Sequence, residues 1–199
     1  MSHSHHADAN ATESAPPPVA ADASVRTARH TDAPAVGLVQ DAVFRAAYAR
    51  VLPDEAMAEF DPQRFAATWR HALSDPPSPL HRLLVACAGE QVVGFAALGP
   101  AHDTDPAVPE RAGEVYVMGV HPDARRSGHG SRLLNASADT LRAAGDHRAL
   151  VTWALADDDG VRGFCSAGGL EPDGAWRERV VDADGRVVRE VRLLAQLGE

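Results

Sequence analysis

The stretch Glu114–Gly130, EVYVMGVHPDARRSGHG, decides the reading of this chain. Glu114 to Val120 is rich in β-branched and aromatic residues and predicts a strand, closed by His121-Pro122. Beyond Gly130, Leu133, Leu134, Ala138 and Leu141 recur at helical spacing, with Gly145 as a stop. Between strand and helix lie Arg125, Arg126, Ser127, Gly128, His129 and Gly130, followed by Ser131 and Arg132. Backbone N–H groups at a helix start have no intrahelical acceptor, and the helix dipole adds partial positive charge there. Gly128 and Gly130 let an anion approach the backbone with no Cβ in the way. Arg125, Arg126 and Arg132 add positive charge to the same turn. Together these are the parts of a pyrophosphate cradle. The plainer alternative is a tight turn with solvated arginines.

Two common nucleotide motifs fail here. A dinucleotide fingerprint needs a third glycine where Leu133 stands. A P-loop needs a lysine, and the 19 basic residues are all arginine. The missing lysine also excludes Schiff-base chemistry on the protein, a pyridoxal-phosphate lysine and a protein kinase. A net charge of −9 argues against nucleic acid as a partner, so the basic turn stands out.

Working outward, 199 residues with 45% apolar and 24% charged content suit one globular domain. Residues 1–24 carry almost no large apolar groups and read as a disordered tail, with the domain at 25–199. His3, His5 and His6 read as solvated tail residues, and no metal site is expected. No apolar run approaches membrane-spanning length and no basic-then-apolar leader is present, so neither a membrane nor a secretory route is expected. Cys87 and Cys165 make no disulfide framework, which suits a reducing cytoplasm.

The flanking segments complete an order. Val25–Arg29 predicts a strand. Helices start at Thr31-Asp32 and Asp61-Pro62, the second stopped by Pro76, Pro77 and Pro79. Leu83–Cys87 and Val92–Leu98 predict a hairpin, and Ala149–Leu155 a further strand. Asp157–Asp159 caps a short helix carrying Val161 and Phe164, and Ala175–Val181 and Arg186–Leu194 close the chain as two strands. The expected class is α/β (α+β), a mixed, mostly antiparallel sheet of about seven strands flanked by about four helices.

The turn resembles the acyl-CoA signature of the GNAT N-acetyltransferase superfamily, R/Q-x-x-G-x-G/A, through Arg125-x-x-Gly128-x-Gly130. Val120-His121-Pro122 matches that family's V-x-P strand exit, and the element order matches from Val25 to Leu194. The resemblance implies acetyl-CoA as acyl donor. Backbone groups of Met118 and Val120 would pair with the pantetheine arm, and N–H groups from Arg125 through Arg126, Ser127, Gly128, His129 and Gly130 to Ser131 would hold the pyrophosphate. The strand Ala149–Leu155 would splay from Glu114–Val120, with the thioester in the V. Asp158 stands where the family often has an asparagine that contacts the cofactor. Phe164 matches the aromatic of its F-Y-x-x-x-G-F segment. Cys165 replaces the tyrosine that often protonates the leaving thiolate, and reads as a small apolar filler.

An amine must lose its proton before attacking a thioester. Glu114 is the candidate base, grouped by period-two alternation with Tyr116, Met118 and Val120 on one face; the alternative is a strand-end carboxylate facing solvent. Tyr116 is a second candidate, as acid or substrate contact. Tyr48, Asp54, Glu55 and Glu59, with Asp103, Asp105 and Glu110, suggest an acidic rim for a cationic amine. The expected function is acetyl transfer from acetyl-CoA to a primary amine, on a small molecule or peptide, by direct attack. The expected state is a monomer or homodimer. The alternative is a non-catalytic acyl-CoA-binding module, favoured by the missing tyrosine.

Overall fold

A computed structural model describes residues 23–102, 111–144 and 147–198. The strands are β1 (Ala23–Thr27), β2 (Arg82–Ala88), β3 (Gln91–Pro100), β4 (Ala112–Val120), β5 (Ala149–Leu155), β6 (Glu171–Val180) and β7 (Val187–Gln196). The helices are α1 (Ala33–Tyr48), α2 (Asp54–Met57), α3 (Pro62–Ser74), α4 (His129–Ala143) and α5 (Asp159–Ala167). They build one seven-stranded sheet in the order β1-β2-β3-β4-β5-β7-β6. Only β4 and β5 run parallel, joined through α4; every other pair is antiparallel.

Each face of the sheet buries its own apolar set. On one face Leu133, Leu134 and Leu141 of α4 pack on Leu84, Ala96, Leu98, Val115 and Leu150. On the other, Val36, Val39 and Val43 of α1 pack on Leu83, Val85, Phe95 and Ala97. Trp69 of α3 joins that layer, its indole N–H donating to Gln40 Oε1 at 2.6 Å and its ring meeting Phe95 edge-on. Helix starts follow local chemistry. Asp61 accepts from Gln63 N–H at 2.8 Å ahead of Pro62, and Asp158 accepts from Val161 N–H at 2.9 Å.

Two differences from the sequence reading have local causes. β1 spans Ala23–Thr27 rather than Val25–Arg29, because Ala23 and Ser24 pair with Ala88 and Cys87, and backbone pairing does not need a large side chain. The four-residue α2 is additional, too short for an apolar period to announce it. The rest of the tail, including His3, His5 and His6, lies outside the described residues, as do Asp103, Asp105, Glu110 and Gly145. Among the described residues no helix is long and apolar enough to cross a membrane.

Candidate active site

The site begins where two parallel strands part. β4 and β5 pair from Ala112 with Ala149 to Val115 with Thr152, and no further. Thr152 closes the crotch, its hydroxyl donating to Val115 O at 2.9 Å. Beyond it, Tyr116–Val120 and Trp153–Leu155 diverge as the arms of a V. The pairing of β4 with β3 decides which backbone groups face that opening. His121 N–H donates to Val93 O at 2.8 Å. Antiparallel pairs alternate, so the neighbouring pair Val120–Gly94 and the next but one, Met118–Ala96, turn their N–H and C=O groups away from β3. Arg125 Nε donates to Val120 O at 3.2 Å, consistent with that outward direction. Met118 and Val120 therefore present a strand edge to the V, as the sequence reading expects.

The turn into α4 leaves a row of backbone N–H groups open. Gly128 is the N-cap residue, at φ 79° and ψ 2°, and Arg126 is also left-handed, at φ 67°. Arg132 N–H is the first in the turn to find a helical acceptor, Gly128 O at 3.1 Å. The N–H groups of Arg126, Ser127, Gly128, His129, Gly130 and Ser131 donate to no acceptor among the described residues. Arg125, Arg126, Ser127, Gly128 and Ser131 are exposed. A Cβ on Gly128 would stand 2.6 Å from Arg132 Nη1, and one on Gly130 would stand 3.3 Å from the Phe164 ring. Successive outward N–H groups, two glycines and flanking guanidinium groups fit a pyrophosphate. The His129 ring is buried; burial, then Arg132, pushes its pKa below the usual histidine value.

Glu114 and Tyr116 sit at the crotch, with a correction. The period-two expectation groups them with Met118 and Val120. A β-bulge at Tyr116 breaks that period, since Ala97 pairs with Val117 while Leu98 pairs with Val115. Met118 and Val120 consequently pack on the α4 side, and Val117 on the α1 side. Glu114 and Tyr116 share the α1 side: Gly99 pairs with Glu114, and a Cβ on Gly99 would meet Tyr116 Oη at 2.7 Å. The bulge does not change the outward direction of the Met118 and Val120 backbone groups. Glu114 is only 6% exposed, so it is not a strand-end carboxylate in solvent. His102 N–H donates to its Oε2 at 3.3 Å.

Two histidines that the sequence reading passes over complete this cluster. Tyr116, His81 and His102 form a three-ring cluster, with Tyr116 stacked at 5.9 and 5.1 Å from the two imidazoles and the imidazoles 6.4 Å from each other between ring centroids. Tyr116 O–H donates to Pro100 O at 2.6 Å, and burial, then Glu114, pushes its pKa up to about 12. His81 Nδ1 is 2.9 Å from Ser78 Oγ. The signal for them is register: His81 precedes β2 and His102 follows β3, and both strand ends converge on the Glu114 end of β4.

Of the remaining expected residues, Phe164 packs beside Gly130 and the α4-side core. The Asp158 carboxylate caps α5. Cys165 is buried in that core, and burial, then Asp158, pushes its thiol up to about 11, as suits the filler reading. Asp54, Glu55 and Glu59 are exposed on and beside α2. Tyr48 ends α1 in an aromatic group with Phe44 and Phe60.

Comparison with known proteins supplies the family. Residues 44–168 match the model of the acetyltransferase (GNAT) family. A mycothiol acetyltransferase from Pseudarthrobacter chlorophenolicus is 39% identical over 75 residues, which span 37% of this chain and 22% of that protein. Among solved structures, yncA from Salmonella typhimurium, with its cofactor acetyl-CoA, superposes at a TM-score of 0.63. It is 19% identical, over 89% of this chain and 95% of its own. The PaiA N-acetyltransferase from Thermoplasma acidophilum, in complex with coenzyme A, superposes at 0.68 with 14% identity, over 88% of this chain and 99% of its own. At these identities the structural likeness concerns the fold.

Proposed function

The chain belongs to the acetyltransferase (GNAT) family, and we propose that it moves an acetyl group from acetyl-CoA to a primary amine by direct attack. Acetyl-CoA supplies the acetyl group as a thioester. The observation that carries the reading is the run of unpartnered N–H groups from Arg126 to Ser131, set beside the V between β4 and β5. In this reading those N–H groups, with Arg125 and Arg126, hold the pyrophosphate. The outward backbone of Met118 and Val120 takes the pantetheine arm as an added strand. The N–H near Met118 faces the carbonyl oxygen as negative charge develops there. Asp158 and Phe164 support the far wall by capping α5 and by packing against Gly130.

Glu114 takes the proton of the attacking ammonium, directly or through one water. As the nitrogen–carbon bond forms, the carbon–sulfur bond breaks and the sulfur keeps its electron pair. Tyr116 is a poor acid for that sulfur, because its proton is committed to Pro100 O and its pKa lies near 12. Cys165 is equally unsuited, being buried in the α4-side core with its thiol pushed up to about 11. Protonation of the thiolate therefore falls to water, and Tyr116 serves as a substrate contact. The two buried, unpaired cysteines suit the cytoplasm.

The test is a panel of primary amines incubated with the protein and acetyl-CoA, read as free thiol and acetylated product. Amine-dependent thiol release supports transfer. Tight acetyl-CoA binding with no release under any amine would favour the non-catalytic module, the reading that the replacement of tyrosine by Cys165 supports.

A further inference from the structure

The α1-side face of β5, β7 and β6 carries a group of charged and aromatic side chains that the acetyl-transfer reading leaves unused. Glu114 pairs with Val151, so Trp153 lies on the same face about 7 Å further along the strand. Trp153 pairs with Arg192, Leu155 with Glu190, and Glu190 with Arg177, which places Arg177, Glu190 and Arg192 on that face too. The Arg177 guanidinium stacks on the Trp153 ring at 4.1 Å from its centroid. Arg177 Nε donates to Glu190 Oε2 at 2.8 Å, and Arg179 Nε lies 2.9 Å from Glu190 Oε1. Arg192, almost fully buried, donates from Nε to Asp173 Oδ2 at 2.6 Å. Arg179 reaches across to the Tyr48 hydroxyl, tying the end of α1 to β6.

Glu190 holds Arg177 and Arg179, and Asp173 holds Arg192. Glu190 engages Arg177 through Nε, and among the described residues no acceptor takes its two Nη groups. The Arg177 side chain remains 44% exposed, so a ligand can reach it. Stacking on Trp153 fixes the plane of the guanidinium, so the Nη pair is held ready for a planar, two-oxygen acceptor. The Trp153 indole N–H, buried on the same face, also has no acceptor among the described residues.

We infer that this face binds a carboxylate, and that the acceptor is an amine carrying a carboxylate, as in a free amino acid or short peptide. Its amine end lies at Glu114 and its carboxylate on Arg177. The inference rests on the acetyl-transfer reading for the amine end only. It departs from the expectation of a cationic acceptor, because an exposed guanidinium, Arg177, rather than a carboxylate, stands beyond Trp153 on this face. A zwitterion meets both ends, with Glu114 facing the ammonium.

The experiment compares free amino acids and dipeptides with their carboxamides, using the full chain and acetyl-CoA, in wild type, Arg177→Gln and Arg189→Gln. Arg189 stacks on Trp176, one residue out of phase with Glu190 and therefore on the opposite face, and is the control. Wild type should prefer the acid over its amide in kcat/KM. Arg177→Gln should raise KM for the acid about 10- to 100-fold, the loss of one charge-assisted contact, and leave the amide unchanged. Arg189→Gln should keep the preference. In parallel, the N-acetylated acids and amides are titrated calorimetrically, which reads the carboxylate site without turnover. Arg177-dependent binding of the N-acetyl acids with no turnover of any amine would sustain this inference and sink the transfer reading. Equal handling of acid and amide, in turnover or in binding, would overturn the inference and leave the transfer reading standing. An equal loss for both in Arg177→Gln would overturn it as well, marking Arg177 as a packing residue.

Discussion

Replacing Gly128 by alanine perturbs the cradle at its tightest backbone position. Gly128 sits at φ 79°, where a residue with a Cβ is disfavoured by about 1–2 kcal/mol. Loss of glycine's freedom in the unfolded chain returns about 0.4–1 kcal/mol. The new Cβ would stand 2.6 Å from Arg132 Nη1, the tip of a flexible side chain that now donates to Ser127 O at 3.1 Å. That tip can swing aside, so the steric contribution to stability is small. The net cost is about 1 kcal/mol, a fall of roughly 2–4 °C in Tm for a domain of this size. Binding should suffer more. A methyl group in front of the N–H row removes one charge-assisted hydrogen bond, worth about 1.5–3 kcal/mol, or roughly 10- to 100-fold in Kd for CoA. Gly185 gives an internal control: it has φ 80° in the β6–β7 turn, with nothing within 4 Å of an added Cβ. Gly185→Ala should lower Tm by a similar amount and leave CoA affinity alone. Melting curves and calorimetric titration with CoA read both effects. If Gly128→Ala loses no more CoA affinity than Gly185→Ala, the cradle is misplaced.

Three further outcomes are expected. Glu114→Gln should keep CoA affinity and lower turnover about 10²- to 10⁴-fold, with the deficit shrinking as pH rises and free amine forms unaided; equal pH–rate profiles would remove Glu114 from the mechanism. Cys165→Tyr should cost about 1–3 kcal/mol by overpacking, read by denaturant melts, and the wild-type thiol, with its pKa near 11, should resist alkylation at pH 8 until the fold opens. Asp32 accepts two hydrogen bonds from Arg26 and one from Arg29 N–H, and the Arg26 bonds hold its carboxyl below the ordinary value. A depressed folded pKa stabilises above the unfolded value of about 3.9 and is lost as pH falls through the folded one. Asp32→Asn should therefore lower stability at neutral pH, towards the low end of about 1.5–3 kcal/mol because Arg26 is a third exposed, and the gap to wild type should close below pH 4.

What the sequence made legible was local. The α4 start could be read from Arg125 to Ser131 because every group in the cradle belongs to one short segment and depends on helix termination. The role expected of the Met118 and Val120 backbone came from the resemblance to the GNAT signature, and their outward direction from the register with β3. The side of the sheet on which Glu114 and Tyr116 lie was not, because the bulge at Tyr116 is set by the register with β3, some twenty residues upstream. His81 and His102 carry no local signature, and only the meeting of β2, β3 and β4 brings their rings to Tyr116. The Arg177–Trp153 stack joins two strands that are separated in the sheet by β7. Alternate charged positions in β6 and β7 hint at a polar face, but only the sheet order places it beside the V.

An amide-resolved NMR titration with CoA tests the central claim most directly. The account predicts that the N–H signals of Arg126 to Ser131 move first and furthest, with those of Met118 and Val120 moving alongside them and those of β1 and α3 staying still. Shifts centred elsewhere on the fold, with the Arg126–Ser131 signals unmoved at saturating CoA, would contradict it.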